Sequence, residues 1–438
     1  MFKRKVESIL NDYYNNQNDN IIIVDGARQI GKSYIIRATA SKHFENYIEI
    51  DLKSDYEGEQ LFKNVTTTKA FYLLVGSIYG DKLNTIDDTI IFLDEIQYYP
   101  QLITLFKDLK KESLYRYIGS GSLLGVTLKH IFIPMGSINE VKMYPMDFEE
   151  FLWANNVGSD AINYLRKCFD ERTIIEESIH NRFLSLFKDY LICGGLPDAI
   201  TEYVIKRNVV RTRDVQMRTF TYYKDDCAKY DNEHKLKIGK VYDILLSNME
   251  NKVKRIQFNK IENKTRAQLG EFEDEFDYLI ASGVANSAKS VSNPKFPLSE
   301  SMSKNLIKLY YNDVGILTYL LYRNNIKAIL DNDKGINLGS VYETVCAMEL
   351  VAHGHELFYF NSKKVGEVDF LINDYDNLNI LPIEVKSGND QNNYRAIPKL
   401  VAHDGNYKLP YGYVFGNKNV FEVKDNLVTL PIYLIMFI

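Results

Sequence analysis

The chain has 438 residues, 45% apolar and 25% charged, which suits a water-soluble globular protein and leaves room for two or three domains. Its net charge of −5 excludes a general electrostatic attraction to nucleic acid, so any such binding must come from local basic surface. The four cysteines, Cys168, Cys193, Cys227 and Cys346, show no Cys-x-x-Cys spacing, which excludes a zinc ribbon or dithiol centre and predicts reduced thiols, largely in the core. The opening Met1-Phe2-Lys3-Arg4-Lys5-Val6-Glu7 has no signal-peptide stretch, and the apolar close, residues 430–438, is too short to span a bilayer. We therefore expect a cytoplasmic protein without membrane contact and a buried terminal strand.

Residues 1 to about 145 alternate helices with apolar strands at 21–24, 47–51, 89–94 and 114–118, a βα pattern. Directly after Ile21-Ile22-Ile23-Val24 comes Gly26-Ala27-Arg28-Gln29-Ile30-Gly31-Lys32-Ser33, a Gly-x4-Gly-Lys-Ser phosphate loop in its strand-loop-helix setting. The glycines let the backbone curl so that N–H groups face phosphate oxygens. Lys32 reaches the β- and γ-phosphates, Ser33 ligates Mg²⁺, and the following helix points its positive end at the anion. Thr89-Ile90-Ile91-Phe92-Leu93-Asp94-Glu95 is apolar without alternation, hence buried on both faces of a parallel sheet. Asp94 is expected to help hold Mg²⁺, and Glu95 to polarise the attacking water. Strand 114–118 ends in Gly119-Ser120-Gly121-Ser122, read as a turn, where Ser120 can contact the γ-phosphate or that water. Residues 141–152 close this core, with Asp147 as the N-cap of the next helix.

Residues 147 to 235 read as mainly helical, broken at Cys193-Gly194-Gly195-Leu196-Pro197. Residues 236–300 read as a small helical module. Gln268 to Leu279 places Leu269, Phe272, Phe276 and Leu279 on one face, and 284–291 could be a β-wing. The polar face of that helix carries Glu271, Glu273, Asp274, Glu275 and Asp277, which would repel phosphates, so a structural or protein-contact role is favoured. Basic residues that could still touch phosphates are Lys206, Arg207, Arg211, Arg213, Arg218, Lys252, Lys254 and Arg255; such clusters are usually solvated faces.

Residues 338–415 follow the order α-β-β-β-α-β. Alternation puts Glu384 and Lys386 on one strand face, with Asp369 beside Glu384 if the neighbouring strands pair. Asp369 and Glu384 could ligate Mg²⁺ or Mn²⁺, with Glu343 from the helix as a further ligand, and Lys386 could position a nucleophilic water. This arrangement resembles the PD-(D/E)XK nuclease superfamily, with Asp369, Glu384, Lys386 and helical Glu343 at the matching positions.

The chain as a whole resembles a large bacterial and archaeal group of AAA-type ATP-binding proteins with a nuclease-like C-terminal region. The phrases that carry the resemblance are residues 26–33, Leu-Asp-Glu-Ile-Gln at 93–97, Gly-Ser-Gly-Ser-Leu-Leu at 119–124, residues 144–152, Gly-Gly-Leu-Pro at 194–197, and residues 367–388. It implies an α/β P-loop core with a helical lid over 1–185, a helical, winged-helix-like region over 186–300, and a restriction-nuclease-like α/β domain over 301–438. Many relatives carry Gly-Arg ahead of the Tyr-Pro segment. This chain has Gly136-Ser137, which leaves transition-state charge to Arg28, Arg116 or another subunit, or makes hydrolysis slow.

The leading expectation is a Mg²⁺-dependent ATPase whose nucleotide state controls a C-terminal module that cleaves or binds DNA or RNA. The rival is a non-cleaving ATP-dependent switch whose nuclease-like fold docks protein or nucleic acid. A small-molecule kinase is a third reading, for which no acceptor-binding motif is recognisable. A protein partner and a homo-oligomer are compatible with either of the first two.

Overall fold

Five runs of the N-terminal third assemble into one sheet: β1 (Ile21–Asp25), β2 (Asn46–Asp51), β3 (Thr89–Asp94), β4 (Arg116–Gly121) and β5 (Ile138–Lys142). The computed structural model describes residues 2–16, 20–83, 88–122, 124, 136–230, 235–250, 272–331, 333, 336, 338–387, 396–401, 409, 411–424 and 426–438. The order is β2-β3-β4-β1-β5 and every pairing is parallel. Helices α1 (Val6–Asn15), α2 (Lys32–His43), α3 (Leu52–Glu57), α4 (Thr68–Tyr79) and α5 (Gln101–Glu112) accompany it. β1 and β3 are buried along their whole length, which is why they show no apolar-polar alternation. Ile23, Ile50, Phe71, Leu93, Phe106 and Tyr117 belong to the core that this sheet and its helices enclose.

β4 runs further than its apolar stretch implies. Gly119, Ser120 and Gly121 are strand residues rather than a turn. Gly119 pairs with both Leu93 and Ile23.

The chain divides into two compact units: Met1–Tyr144 with Ala281–Gly283, and Pro145–Ile280 with Val284–Ile438. The divisions expected at 185/186 and 300/301 do not follow this partition. The first cuts through a single helix, Glu177–Cys193; the second falls within a β-hairpin.

The second unit begins with α6 (Phe148–Ala154), α7 (Ser159–Glu171), α8 (Glu177–Cys193), α9 (Val209–Tyr230), α10 (Lys235–Glu250) and α11 (Glu273–Ala281). Asp147 caps α6 through its Oδ1, which accepts from the Glu150 N–H at 2.9 Å. Of the helix expected over 268–279, residues 268–271 lie outside the described residues, and Phe272, Phe276 and Leu279 are buried as their spacing implies. The segment read as a wing is instead β6 (Ala285–Val291), an inner strand of an eight-stranded sheet. It pairs antiparallel with β7 (Met302–Tyr311) and parallel with β8 (Leu357–Ser362). α12 (Val314–Tyr322) and α13 (Leu338–Ala352) follow β7. Beyond β8 the chain continues through β9 (Gly366–Asp374), β10 (Asn379–Val385), α14 (Ala396–Val401), β11 (Gly412–Gly416), β12 (Glu422–Lys424) and β13 (Leu427–Pro431). The sheet order is β12-β13-β11-β10-β9-β8-β6-β7.

The expected terminal strand covers only 427–431. Residues Ile432–Phe437 turn into a 3-10 helix, apolar because all six side chains are buried. Cys168, Cys193 and Cys346 are buried free thiols, and the Cys227 side chain lies outside the described residues. Among the described residues no helix is long and apolar enough to cross a membrane.

Candidate nucleotide site and C-terminal carboxylate cluster

The carboxyl ends of β1, β3 and β4 bring the N-terminal site together, as expected for a parallel sheet. β1 ends in Asp25, and the chain turns through Gly26 at φ +156° to Gly31 at φ +92°, the N-cap of α2. A Cβ on Gly26 would lie 2.1 Å from the Met143 carbonyl oxygen, so only glycine fits beside the end of β5. Gln29 also has positive φ, at 63°, completing the curl. The Arg4 guanidinium braces this loop from its outer side, donating to the Ile30 carbonyl at 3.0 Å and the Tyr144 carbonyl at 2.7 Å. Ala27 and Ile30 are buried and anchor the loop to the core.

Lys32 folds back onto its own loop, its Nζ donating to the Gly26 and Ala27 carbonyls at 2.9 and 2.8 Å. Burial pushes its pKa down, against the pull of Glu95, Asp25 and Asp94. Asp25, buried beside it, is raised to about 6, chiefly by burial and then by Glu140.

Asp94 ends β3 and receives the Ser120 hydroxyl from β4 and the Ser33 hydroxyl from α2. Burial raises its pKa, and these two hydroxyls oppose the rise. Ser120 is directed at Asp94, and Glu95 is held by a residue that sequence reasoning passed over. Ser122 Oγ donates to Glu95 Oε2 at 2.9 Å, and Gln97 Nε2 donates to the same oxygen. Arg28 Nε in turn donates to Ser122 Oγ at 3.1 Å, and its Nη2 to the Tyr98 hydroxyl at 3.3 Å. Since β4 continues through Gly121, Ser120 and Ser122 lie on one side of the chain two residues apart. Placing the strand end correctly would have exposed Ser122 as a second candidate.

Arg116 opens β4, at the other end of the sheet. It is bound to the Tyr13 and Asn16 carbonyls. Ser137 lies at that same end, its carbonyl accepting from the Ile21 N–H at 2.9 Å.

The second unit holds the other group of predicted site residues. β9 and β10 pair antiparallel, and Asp369 Oδ2 accepts from the Val385 N–H at 2.9 Å, which sets Asp369 beside Glu384. Lys386 Nζ lies 2.6 Å from Glu384 Oε1. Glu343, on α13, receives the Tyr310 hydroxyl at 3.4 Å. Burial raises Asp369 well above the carboxylate range, and Glu384 and Glu343 add to the rise. Glu384 is likewise raised by burial, with Lys386 pulling it down.

The expected metal set of Glu343, Asp369 and Glu384 is not assembled as a cage. Among the described residues no three His, Cys, Asp or Glu side chains converge to hold a cation. The physical reason is that two ammonium groups stand among the acids. One is Lys386. The other is Lys308 on β7, which sequence reasoning missed: it is fully buried, 2.6 Å from Glu367 Oε1, over the Tyr359 ring, and its charge is sustained by Glu343, Glu367 and Asp369 against burial. A lone lysine inside the apolar run Leu306-Ile307-Lys308-Leu309-Tyr310-Tyr311 was the available signal. Among the described residues Glu384 Oε2 has no hydrogen-bond partner, and Glu384 lines a cavity of about 520 Å³ with Glu367, Lys363 and Lys399. The oxygen donors of Asp369 and Glu384 suit a hard divalent cation.

Of the other basic residues, Arg213 is no surface group. It is buried and donates to the Ile192 carbonyl and the Thr318 hydroxyl. Lys252, Lys254 and Arg255 lie outside the described residues.

A parallel sheet, a glycine-rich loop running into a helix, and paired acids at the end of a buried strand define a P-loop nucleotide-binding domain. Residues 18–152 match the family described as an AAA domain, which makes this domain AAA-type. Residues 184–327 and 338–435 match two families described only as domains of unknown function, DUF8612 and DUF4143. No curated protein matches the chain. Among solved structures, the Walker-type ATPase of Pyrococcus abyssi is similar at 16% identity and a TM-score of 0.41, covering 73% of this chain and 96% of its own. A single-substitution variant of RuvB from Thermotoga maritima is similar at 12% identity and a TM-score of 0.29, covering 64% and 87%.

Proposed function

We propose that the chain binds ATP with Mg²⁺ and hydrolyses it, and that its nucleotide state controls a C-terminal nuclease-like region acting on DNA or RNA. The observation that carries the first part is the convergence of Lys32, Ser33, Asp94 and Glu95 on one glycine-rich loop at the carboxyl ends of parallel strands. The Ser33 hydroxyl and the Asp94 carboxylate already touch, and this pair of hard oxygen donors fits Mg²⁺. When bound, that ion supplies neutralising charge to the phosphate oxygens.

The chain's own residues do the rest. Loop N–H groups and the N-terminal end of α2 hold the phosphates. Lys32 exchanges the carbonyls of Gly26 and Ala27 for phosphate oxygens. Glu95 orients and polarises the attacking water, with Ser122 and Gln97 fixing the carboxylate. The test is Lys32→Ala. We expect ATP binding, followed by calorimetry on the full chain, to be abolished; retained affinity would remove the site assignment.

For the second unit, Glu384's unpartnered Oε2 and the flanking Lys363 and Lys399 favour an anionic ligand held with a cation. The ammonium group of Lys308 among the carboxylates favours the rival reading, a non-cleaving switch that uses this fold for docking protein or nucleic acid. A cytoplasmic location is part of the proposal, and a protein partner or a homo-oligomer is compatible with both readings.

A further inference from the structure

We infer that Arg28, a side chain of the phosphate loop itself, supplies the positive charge on the transferring phosphoryl group from within the same chain. The inference rests on the nucleotide reading above and deepens it by naming the residue and making the site complete in one copy.

Phosphoryl transfer spreads negative charge over the equatorial oxygens of the γ-phosphate, and a well-placed guanidinium stabilises it. Residues 1–144 contain four arginines: Arg4, Arg28, Arg37 and Arg116. Three are committed to other tasks. Arg4 braces backbone carbonyls of the loop and of Tyr144. Arg37 is paired through both Nε and Nη2 with the Glu49 carboxylate, at 2.8 and 2.6 Å. Arg116 sits at the opposite end of the sheet on the Tyr13 and Asn16 carbonyls. Ser137 precedes β5 at that same far end, so position 137 does not face this chain's own loop.

Of these four, Arg28 is the one that reaches the surroundings of Glu95. Its Nε is 3.1 Å from Ser122 Oγ, and that hydroxyl is 2.9 Å from Glu95 Oε2. Water polarised by Glu95 must lie between that carboxylate and the γ-phosphorus. A guanidinium one hydroxyl away from Glu95, rooted in the loop that wraps the phosphates, is on the γ-phosphate side of the site. Tyr98 steadies its outer nitrogen at 3.3 Å.

In the reaction the water oxygen bonds to the γ-phosphorus while the bond to the β–γ bridging oxygen breaks. ADP leaves with that electron pair, and the water proton passes through Glu95 to the products. Arg28 neither gives nor takes a proton; it exchanges Ser122 for phosphate oxygens as their charge grows.

The experiment uses the full chain, Arg28→Ala and Arg28→Lys. ATP affinity is read by calorimetry, chemistry by single-turnover hydrolysis of γ-labelled ATP, and the transition state by retention of ADP with aluminium fluoride. We expect Arg28→Ala to bind ATP within about threefold of wild type, which also reports a folded site, yet to hydrolyse it about 10³-fold more slowly and to lose ADP–aluminium fluoride retention. Arg28→Lys should recover only part of the rate, because lysine lacks the planar fork. Wild-type turnover per site should not change on dilution. Equal rates with intact ATP binding, or turnover per site that collapses on dilution, would overturn the inference while leaving the nucleotide reading in place. A wild-type chain that binds no ATP would overturn both.

Discussion

Gly26 is where the phosphate loop depends most on a single atom. Its φ of +156°, and the mere 2.1 Å that would separate a Cβ there from the Met143 carbonyl oxygen, leave no tolerance for a side chain. The obstacle is backbone held in place by β1, since Met143 N donates to the Asp25 carbonyl at 2.8 Å. Gly26→Ala should therefore lower unfolding free energy by about 2 kcal/mol or more in urea titrations and weaken ATP binding together with it. Unchanged stability would mean that the loop is not seated against β5. The loop was legible in the sequence because its residue types are dictated by local geometry. Ser122, Gln97 and Lys308 were not, because their roles arise from neighbours brought in by the fold. Ser122 meets Arg28 across 94 residues, and Lys308 meets Glu367 only because β7 joins the same sheet as β9.

At the level of elements, long apolar strands and capped helices were readable, and their connections were not. The Gly-Gly-Leu-Pro break after α8 reads like a boundary, yet it is tied into the interior of the second unit by Asp313. That carboxylate caps α12, accepting from Ile316 N–H at 2.9 Å, and reaches the Gly195 N–H at 2.6 Å. Its burial lifts the pKa from 3.8 to about 6 in spite of these donors. The native state thus keeps a proton that the unfolded chain releases between roughly pH 4 and 6. Stability from this group is fully present below the lower value and is lost as pH rises through the upper one, by at most about 3 kcal/mol. Asp313→Asn cannot titrate and leaves one backbone N–H unsatisfied, at a cost of about 1–3 kcal/mol. The wild type's advantage over this variant in urea unfolding should be largest near pH 4 and shrink towards pH 7. An advantage independent of pH would show that Asp313 is already ionised across the window.

For the whole molecule the decisive question is whether the C-terminal cluster is a reaction site or a neutralised scaffold. Glu343, Glu367, Asp369 and Glu384 face two ammonium groups, so the cluster keeps an excess of acid that a divalent cation would balance, while Lys308 and Lys386 already meet part of it. The αβββαβ order was readable because each strand there carries a run of apolar residues and is set off from the next by polar turns. The interposed Lys308 was not, since it enters from β7, upstream of that order. If the cluster reacts, the full chain with Mg²⁺ or Mn²⁺ should cleave DNA or RNA. Cleavage should disappear in Asp369→Ala, which loses both a cation ligand and the acceptor for Val385 N–H. ATP turnover followed in the same tubes should persist in that variant, since Lys32, Asp94 and Glu95 are untouched. Its dependence on added nucleic acid would report whether the two activities are coupled. Tight ATP binding with no cleavage under any metal, and the same nucleic-acid affinity in wild type and Asp369→Ala, would instead identify the cluster as a docking scaffold whose internal lysines do the work of a metal.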